Sequence, residues 1–290
     1  MADRVSIGVI GSVNLDMVAT ADTLPAPGQT VTGAALARFP GGKGANQALA
    51  ARRLGADVRL LARIGRDGAA DEALALLRAG GVDLDGCLAE PDRPTGTALI
   101  VVAPDGENQI VVAPGANAAF TPDKLPDRLD ALGVDALMCQ LEVPLATVAQ
   151  AAAGFAGFFC LNVAPAAAVP ADLLARCDLL VMNETEARML GDALAGYDGL
   201  AATTLGARGA VLTRRGEELA RARPPKVVAV DATGAGDAFT AALTVALLEG
   251  RAPDDALRLA CTVGALTATK PGAQPSFPSR AEVEAVLAGR

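Results

Sequence analysis

Short apolar runs recur along this chain, most of them separated by stretches whose apolar positions fall at helical spacing. The first run, Val5-Ser-Ile-Gly-Val-Ile10, ends in Gly11-Ser12, the pattern of a buried strand passing into a loop. Helical spacing over residues 45–54 and 69–79 flanks a strand at 58–61. Beyond residue 120 the alternation predicts a helix near 122–132, a strand at 135–139, a helix at 144–153 and strands at 158–161 and 178–181. A helix at 183–190, strands near 201–204 and 210–213, and helices at 236–249, 254–268 and 280–288 follow. Strands alternating with helices predict an α/β fold with a mostly parallel central sheet and helices on both faces. Right-handed crossovers then gather the loops at the strands' carboxyl ends on one rim, where ligands bind.

Two stretches break the alternation. Residues 13–40 are rich in Thr, Pro and Gly, while Thr97-Ala-Leu-Ile-Val-Val102 and Gln109-Ile-Val-Val112, split by Pro104-Asp-Gly-Glu107, carry a hairpin signal. Residues 13–40 and 95–112 together predict a small β-layer projecting from the main body. No internal repeat, low-complexity tail or linker divides the chain, so residues 1–290 are expected to form a single domain.

Composition narrows the chemistry. With 51% hydrophobic residues over 290 positions the chain can bury a sizeable core. A net charge of -8 argues against nucleic acid or an anionic membrane surface as partners, since both call for a basic face. The absence of histidine removes Ser-His-Asp and Cys-His chemistry, histidine zinc sites and histidine acid-base catalysis together. Five cysteines without a CxxC pair, in or beside apolar segments, read as reduced, buried thiols of a cytosolic protein with no disulfide. The opening residues lack a hydrophobic signal core, so no export is expected, and the apolar stretch 151–170 is interrupted by Asn162 and two prolines, unlike a membrane span.

The richest motif is Asp231-Ala-Thr-Gly-Ala-Gly-Asp237, followed by an apolar helical run. Small residues and two glycines let successive N–H groups face one concavity, and the helix N-terminus behind them adds its positive end. That site suits phosphate, and a carboxylate beside it would repel a phosphoryl group unless it served as a base. A helix N-cap after a glycine turn would explain one Asp and one Gly, but not two glycines between two aspartates.

Other segments remain open on the residues alone. Gly41-Gly-Lys-Gly-Ala-Asn46 fails as a Walker A loop, because Lys43 is followed by Gly44; it is either a glycine-rich helix start or a turn bringing Lys43 and Asn46 to a polar ligand. Asn14 and Asp16 follow the first strand in a loop and Glu142 follows another strand; together they suit a hydroxyl-rich ligand, singly they are turn or capping residues. Asn183 and Glu186 are an N-cap and its N3 partner, or outer-shell support for hydrated Mg²⁺, or both. Thr204-Leu-Gly-Ala-Arg-Gly209 is a strand-to-strand turn unless Arg208 meets phosphate, and Lys270-Pro-Gly-Ala-Gln-Pro-Ser276 is a helix-ending loop or a set of oxygens for a monovalent cation near Asp231.

Taken in order, these segments, with Gly115-Ala-Asn117 and Gln140-Leu-Glu142, resemble the PfkB family of sugar kinases, also called the ribokinase family, over nearly the whole chain. The resemblance implies ATP-dependent phosphorylation of the primary (O5) hydroxyl of D-ribose, giving ribose 5-phosphate and ADP. It makes Asp237 the general base and Gly234, Ala235 and Gly236 the anion hole. It assigns Asn14, Asp16, Gly42, Lys43, Asn46 and Glu142 to the sugar. Asn183, Thr204, Leu205, Gly206, Ala207, Arg208, Gly209 and Gly236, with the helix around Cys261, go to the nucleotide. Glu186 goes to the Mg²⁺ network, and Asp231, Thr233, Thr267, Lys270, Gly272 and Ser276 to an activating K⁺. The β-layer becomes a lid that also forms a homodimer contact. The alternatives are a kinase for another pentose, deoxyribose or a nucleoside, and a sugar-binding regulator without catalysis. A nicotinamide-dependent dehydrogenase is disfavoured by the missing dinucleotide fingerprint. Ala232 and Val163 depart from the family pattern, and the stretch 187–203 leaves little room for the flanking helix expected there.

Overall fold

The computed structural model describes residues 4–104 and 107–289. Residues 1–3, on which the reading of the amino terminus partly rests, and Asp105-Gly106, the tip of the expected turn, lie outside the described residues. The first half of the chain runs β1 (Ser6–Ile10), β2 (Asn14–Thr20), β3 (Ala35–Gly41), α1 (Lys43–Arg53), β4 (Asp57–Gly65), α2 (Gly68–Gly80), β5 (Cys87–Glu90), β6 (Gly96–Val102), β7 (Asn108–Ala113) and β8 (Ala136–Cys139). The second half continues α3 (Leu145–Gly154), β9 (Phe158–Asn162), α4 (Ala171–Arg176), β10 (Leu179–Asn183), α5 (Glu184–Leu190), β11 (Leu200–Thr204), β12 (Ala210–Arg214), β13 (Glu217–Ala222), α6 (Ala235–Leu248), α7 (Pro253–Thr267) and α8 (Arg280–Ala288).

The main sheet has nine strands in the order β13-β12-β11-β10-β9-β8-β1-β4-β5. Those from β11 to β5 pair in parallel, and β12 and β13 close the other edge antiparallel. Strand periodicity divides the core in two. Ile7, Val9, Leu60 and Met138 face a cluster covered by α1, α2, α6, α7 and α8, while Ile10, Leu61, Leu137 and Phe159 face one covered by α3, α4 and α5. A sheet buried on both faces therefore reads as continuous apolar runs, as in β1 and β8. The second sheet, in the order β3-β2-β6-β7, is the small β-layer predicted from residues 13–40 and 95–112.

Three local differences have simple causes. The helix expected near 122–132 is instead two 3₁₀ turns, Pro122–Lys124 and Leu129–Leu132, because Pro126 has no N–H to return to Pro122 and its ring opposes helical continuation. The short strands β5 and β13 and the short helix α4 were not foreseen. Four of the cysteines are buried as expected, but Cys87 is half-buried; all five are free thiols. The stretch 187–203 holds the end of α5 and a 3₁₀ turn, Gly191–Leu194, and is anchored by Tyr197, whose buried hydroxyl donates to the Cys177 carbonyl at 2.8 Å. Among the described residues no helix is long and apolar enough to cross a membrane.

Candidate active site

The carboxyl ends of β1, β8, β9, β10 and β11 share one rim, and the N-termini of α1 and α6 open onto it. Gly234 caps α6 with φ 78, a left-handed conformation natural to glycine, and a Cβ there would lie 2.6 Å from the Ala273 methyl. Ala235 donates its N–H to Ala232 at 3.1 Å, closing the turn. The N–H groups of Gly234 and Gly236 have no partner among the described residues and stand at the positive end of α6, so two of the three expected anion-hole donors are unengaged.

Asp237, buried in the first turn of α6, accepts from Asn46 Nδ2 at 2.9 Å through Oδ2 and from Gln47 Nε2 at 3.1 Å through Oδ1. Asn46 Oδ1 is buried without a partner, an acceptor left for a ligand hydroxyl. Lys43 starts α1; the negative charge of Asp237 raises its pKa against the downward pull of burial, with Glu142 and Glu186 adding to the rise. Glu142 Oε2 accepts from Ser12 Oγ at 2.5 Å and from the Lys43 N–H at 3.0 Å. Gly42, at φ 87, makes that close approach possible, since a Cβ there would lie 2.7 Å from the Asn14 nitrogen.

Asn14 and Asp16 do not sit in a loop after the first strand, as expected from the sequence, but on β2 of the small sheet. Two residues apart on a strand, they share a face, while Leu15 between them is buried. Asn14 Oδ1 accepts from Asn117 Nδ2 at 2.8 Å, which leaves the Asn14 amide as a donor. Asp16 is pushed up to about 7 by burial, then by the charges of Glu142 and Asp237. Three carboxylates and one ammonium thus surround a space with donors and acceptors on several sides, the chemistry that holds a polyol.

The residues expected around a nucleotide also come together. Asn183 and Thr204 are register partners on β10 and β11, and the turn 205–209 follows directly. Both readings of Asn183 and Glu186 were open; the capping box is present, with the Asn183 side chain accepting from the N–H groups of Thr185 and Glu186 at 2.8 and 2.9 Å and Glu186 Oε2 accepting from the Asn183 N–H at 2.7 Å. Burial raises the Glu186 carboxyl, against that hydrogen bond and the pull of Lys43. Arg208 pairs with Glu184 at 2.5 Å, both exposed. Cys261 is buried on α7 against the Ala222 carbonyl, and one turn on, Gly264 lies beside the Ala235 carbonyl, linking this half to the N-terminus of α6.

Asp231 accepts from the Thr233 N–H at 2.9 Å and the Gly272 N–H at 2.8 Å. Burial works upward on its pKa, but these hydrogen bonds outweigh it and hold the group below the usual range. The carbonyls of Lys270 and Pro271 converge on Ser276 Oγ at 3.0 and 3.1 Å. Thr267 spends its hydroxyl on the Val263 carbonyl at 2.9 Å, which leaves its own carbonyl.

Sequence reasoning singled out none of Ser12, Gln47, Asn117, Gln140 and Asn162 as site residues, yet Ser12, Gln47 and Asn117 bond to Glu142, Asp237 and Asn14, and Gln140 and Asn162 bond to Gln47. Gln47 carried a signal: a polar residue opening the buried, otherwise apolar stretch Gln47-Ala-Leu-Ala-Ala51.

The sequence and the fold are similar to those of known proteins. The chain is 38% identical to the ribokinase of Bacillus subtilis over 97% of its own length and 99% of the relative's. Its fold matches the crystal structure of Thermotoga maritima ribokinase with a TM-score of 0.90 at 33% identity, covering 98% of this chain and 99% of that one. It matches Arabidopsis thaliana ribokinase, solved with ribose and ATP, with a TM-score of 0.89 at 31% identity and coverage of 98% and 99%. The sequence profile described as "pfkB family carbohydrate kinase" matches residues 5–280, and it spans every element that builds the site. With that match over nearly its whole length, the chain belongs to the pfkB family of carbohydrate kinases.

Proposed function

We propose that this chain transfers the γ-phosphoryl group of ATP to the primary (O5) hydroxyl of ribose. The observation that carries this is Asp237, held by Asn46 and Gln47 at the helix terminus whose free N–H groups face outward, with the polyol-binding side chains of β2 and α1 beside it. Asp237 takes the hydroxyl proton as the oxygen–phosphorus bond forms and the bond from the γ-phosphorus to the β,γ-bridging oxygen breaks; ADP leaves with that electron pair. Asn14, Asp16, Asn46 and Glu142 orient the sugar, and Lys43 offsets the negative charge gathered there. The N–H groups of Gly234 and Gly236 stabilise charge on the transferring group. Asn183, Thr204 and the turn to Gly209, with α7 around Cys261, hold the nucleotide. The small sheet closes over the sugar and excludes water.

Two ions fit this frame. Mg²⁺ would be carried mainly by the phosphates and water. Mg²⁺ supplies charge neutralisation there, with the buried Glu186 carboxylate as outer-shell support. K⁺ suits the oxygen-rich set of Asp231, with its carboxylate kept ionised, and Ser276 with its converging carbonyls, where it would order the neighbouring anion hole; Thr233, Thr267, Lys270 and Gly272 complete the set. The exposed apolar side chains of Leu36, Leu99 and Val111, which share one face of the small sheet, support a homodimer through the lid. Five free thiols support the cytoplasm as the place of action.

A coupled ADP-release assay over ribose, 2-deoxyribose, other pentoses and nucleosides, with and without K⁺, tests the proposal. Ribose is expected to give the highest kcat/KM, and K⁺ to raise it. Absence of ribose-dependent ADP release would overturn the assignment.

A further inference from the structure

The geometry points to Gln47 as a positioning residue for the base Asp237, fixed in one amide orientation by Gln140 and Asn162. Gln47 is fully buried. Its two N–H bonds are both committed, to Asp237 Oδ1 at 3.1 Å and to Asn162 Oδ1 at 3.1 Å, and its Oε1 accepts from Gln140 Nε2 at 2.7 Å. The chain of amides has a fixed end. Asn162 Nδ2 donates to the Val181 carbonyl at 3.0 Å, so Asn162 must present its oxygen to Gln47. Rotating the Gln47 amide by half a turn would set its oxygen against the Asp237 carboxylate and the Asn162 oxygen, while its NH₂ would face the Gln140 NH₂. No hydrogen bond of the three would survive.

The consequence concerns which lone pairs of Asp237 remain. With Gln47 on Oδ1 and Asn46 on Oδ2, both oxygens are pinned in the first turn of α6, and the carboxylate cannot swing away from the rim. The anchors lie at the carboxyl end of β8 and on β9 and β10, whose next residues lead into the sugar-side Glu142 and the nucleotide-side Asn183. One buried amide thus ties the base to both halves of the rim. A group that acts only by aiming the base should alter turnover and leave substrate affinity nearly intact, because misplacing a reacting group by about 1 Å costs on the order of a hundredfold.

This inference rests on Asp237 acting as the base, so Asp237→Asn is assayed alongside. Gln47→Met keeps the volume and removes all three hydrogen bonds; kcat is expected to fall about tenfold to a hundredfold, with KM for ribose and ATP within about threefold of the unchanged enzyme. Gln140→Met serves where Gln47→Met does not fold. Gln140 Oε1 is already buried without a partner, so removing that amide relieves one unsatisfied acceptor while it releases the Gln47 oxygen. For Gln140→Met kcat is expected to fall about threefold to tenfold with an unshifted melting temperature and unchanged ribose stoichiometry by calorimetry. A Gln140→Met enzyme with unchanged kcat, or KM values rising in step with the loss of kcat in either variant, would overturn the proposal. If Asp237→Asn retains full turnover, the base assignment itself fails; if only the glutamine variants are silent, the positioning role alone fails.

Discussion

Asn46 Nδ2 donates to Asp237 Oδ2 at 2.9 Å, so the first turns of α1 and α6, distant in sequence, meet at one carboxylate. The contact joins the two helix N-termini that open onto the rim. An Asp237→Asn substitution keeps the size of the side chain but removes the proton acceptor and gives up one of the two bonds from Asn46 and Gln47. Turnover is expected to drop by about 10²–10⁴, with ribose affinity by calorimetry nearly unchanged. Full turnover in the variant would remove Asp237 from the chemistry.

Gly234 and Gly236 both flank Ala235, yet they should respond differently to a methyl group. At Gly234 the backbone is left-handed at φ 78 and the new Cβ would lie 2.6 Å from the Ala273 methyl, whereas at Gly236 nothing lies within 4 Å. Gly234→Ala is expected to cost about 1–3 kcal/mol and to lower the melting temperature by several degrees. Gly236→Ala should leave the melting temperature close to that of the parent, since its dihedrals suit any residue in a first helical turn. Equal thermal shifts in the two would contradict this reading.

Much of this rim is legible in the sequence. The sheet was readable because β1, β8 and β10 are buried on both faces and so form unbroken apolar runs, and the open N-terminus of α6 because glycine spacing beside a helix start has few other uses. Asn14 and Asp16 were assigned to the ligand but placed in a loop; a strand of a half-exposed lid alternates polar and apolar positions over too few residues to stand out, as Asn14-Leu-Asp16 shows. Gln140 and Asn162 were not assigned to the site because each is a single polar residue at the end of a buried strand. Only the fold brings them 2.7 and 3.1 Å from the same glutamine. The missing helix at 122–132 had its signal in Pro126, outweighed in the reading by apolar spacing.

The shortened stretch between α5 and β11 is held in place by Tyr197, whose hydroxyl reaches the Cys177 carbonyl at 2.8 Å. Tyr197→Phe removes that bond and leaves the ring. A loss of about 0.5–1.5 kcal/mol is expected in urea unfolding, with kcat and both KM values unaltered because the residue lies outside the rim. A kinetic defect would show that this segment reaches the nucleotide side.

Asp231 has its pKa lowered by hydrogen bonds from Thr233 and Gly272 that outweigh the opposing effect of burial. Its contribution to stability is therefore present above the carboxylate's unfolded value and is lost as pH falls through the lower folded one. Near neutral pH the group is a fixed anion, available to a cation. Melting temperature is expected to rise with KCl more than with tetramethylammonium chloride, and Asp231→Asn to flatten that difference together with activation of turnover by K⁺. An identical salt response in the variant would place the cation elsewhere.

Asp16 behaves in the opposite sense. Its folded value is pushed up to about 7 by burial first and then by Glu142 and Asp237, from an ordinary value of 3.8. Between those two values the folded state holds a proton that the unfolded chain has released, so stability declines as pH rises from about 4 to about 7 and stays lower above. A shift of about three units corresponds to at most ~4 kcal/mol, the cost of burying an ionisable acceptor beside Glu142 and Asp237. Asp16→Asn removes the ionisation and keeps the shape. The variant is expected to melt higher than the parent at pH 8, to converge with it toward pH 5, and to lose most of its ribose affinity. If the two proteins instead show a constant difference in melting temperature across that range, burial of the Asp16 charge is not what the site opposes, and the gain in function from placing a carboxylate there carries no cost in stability.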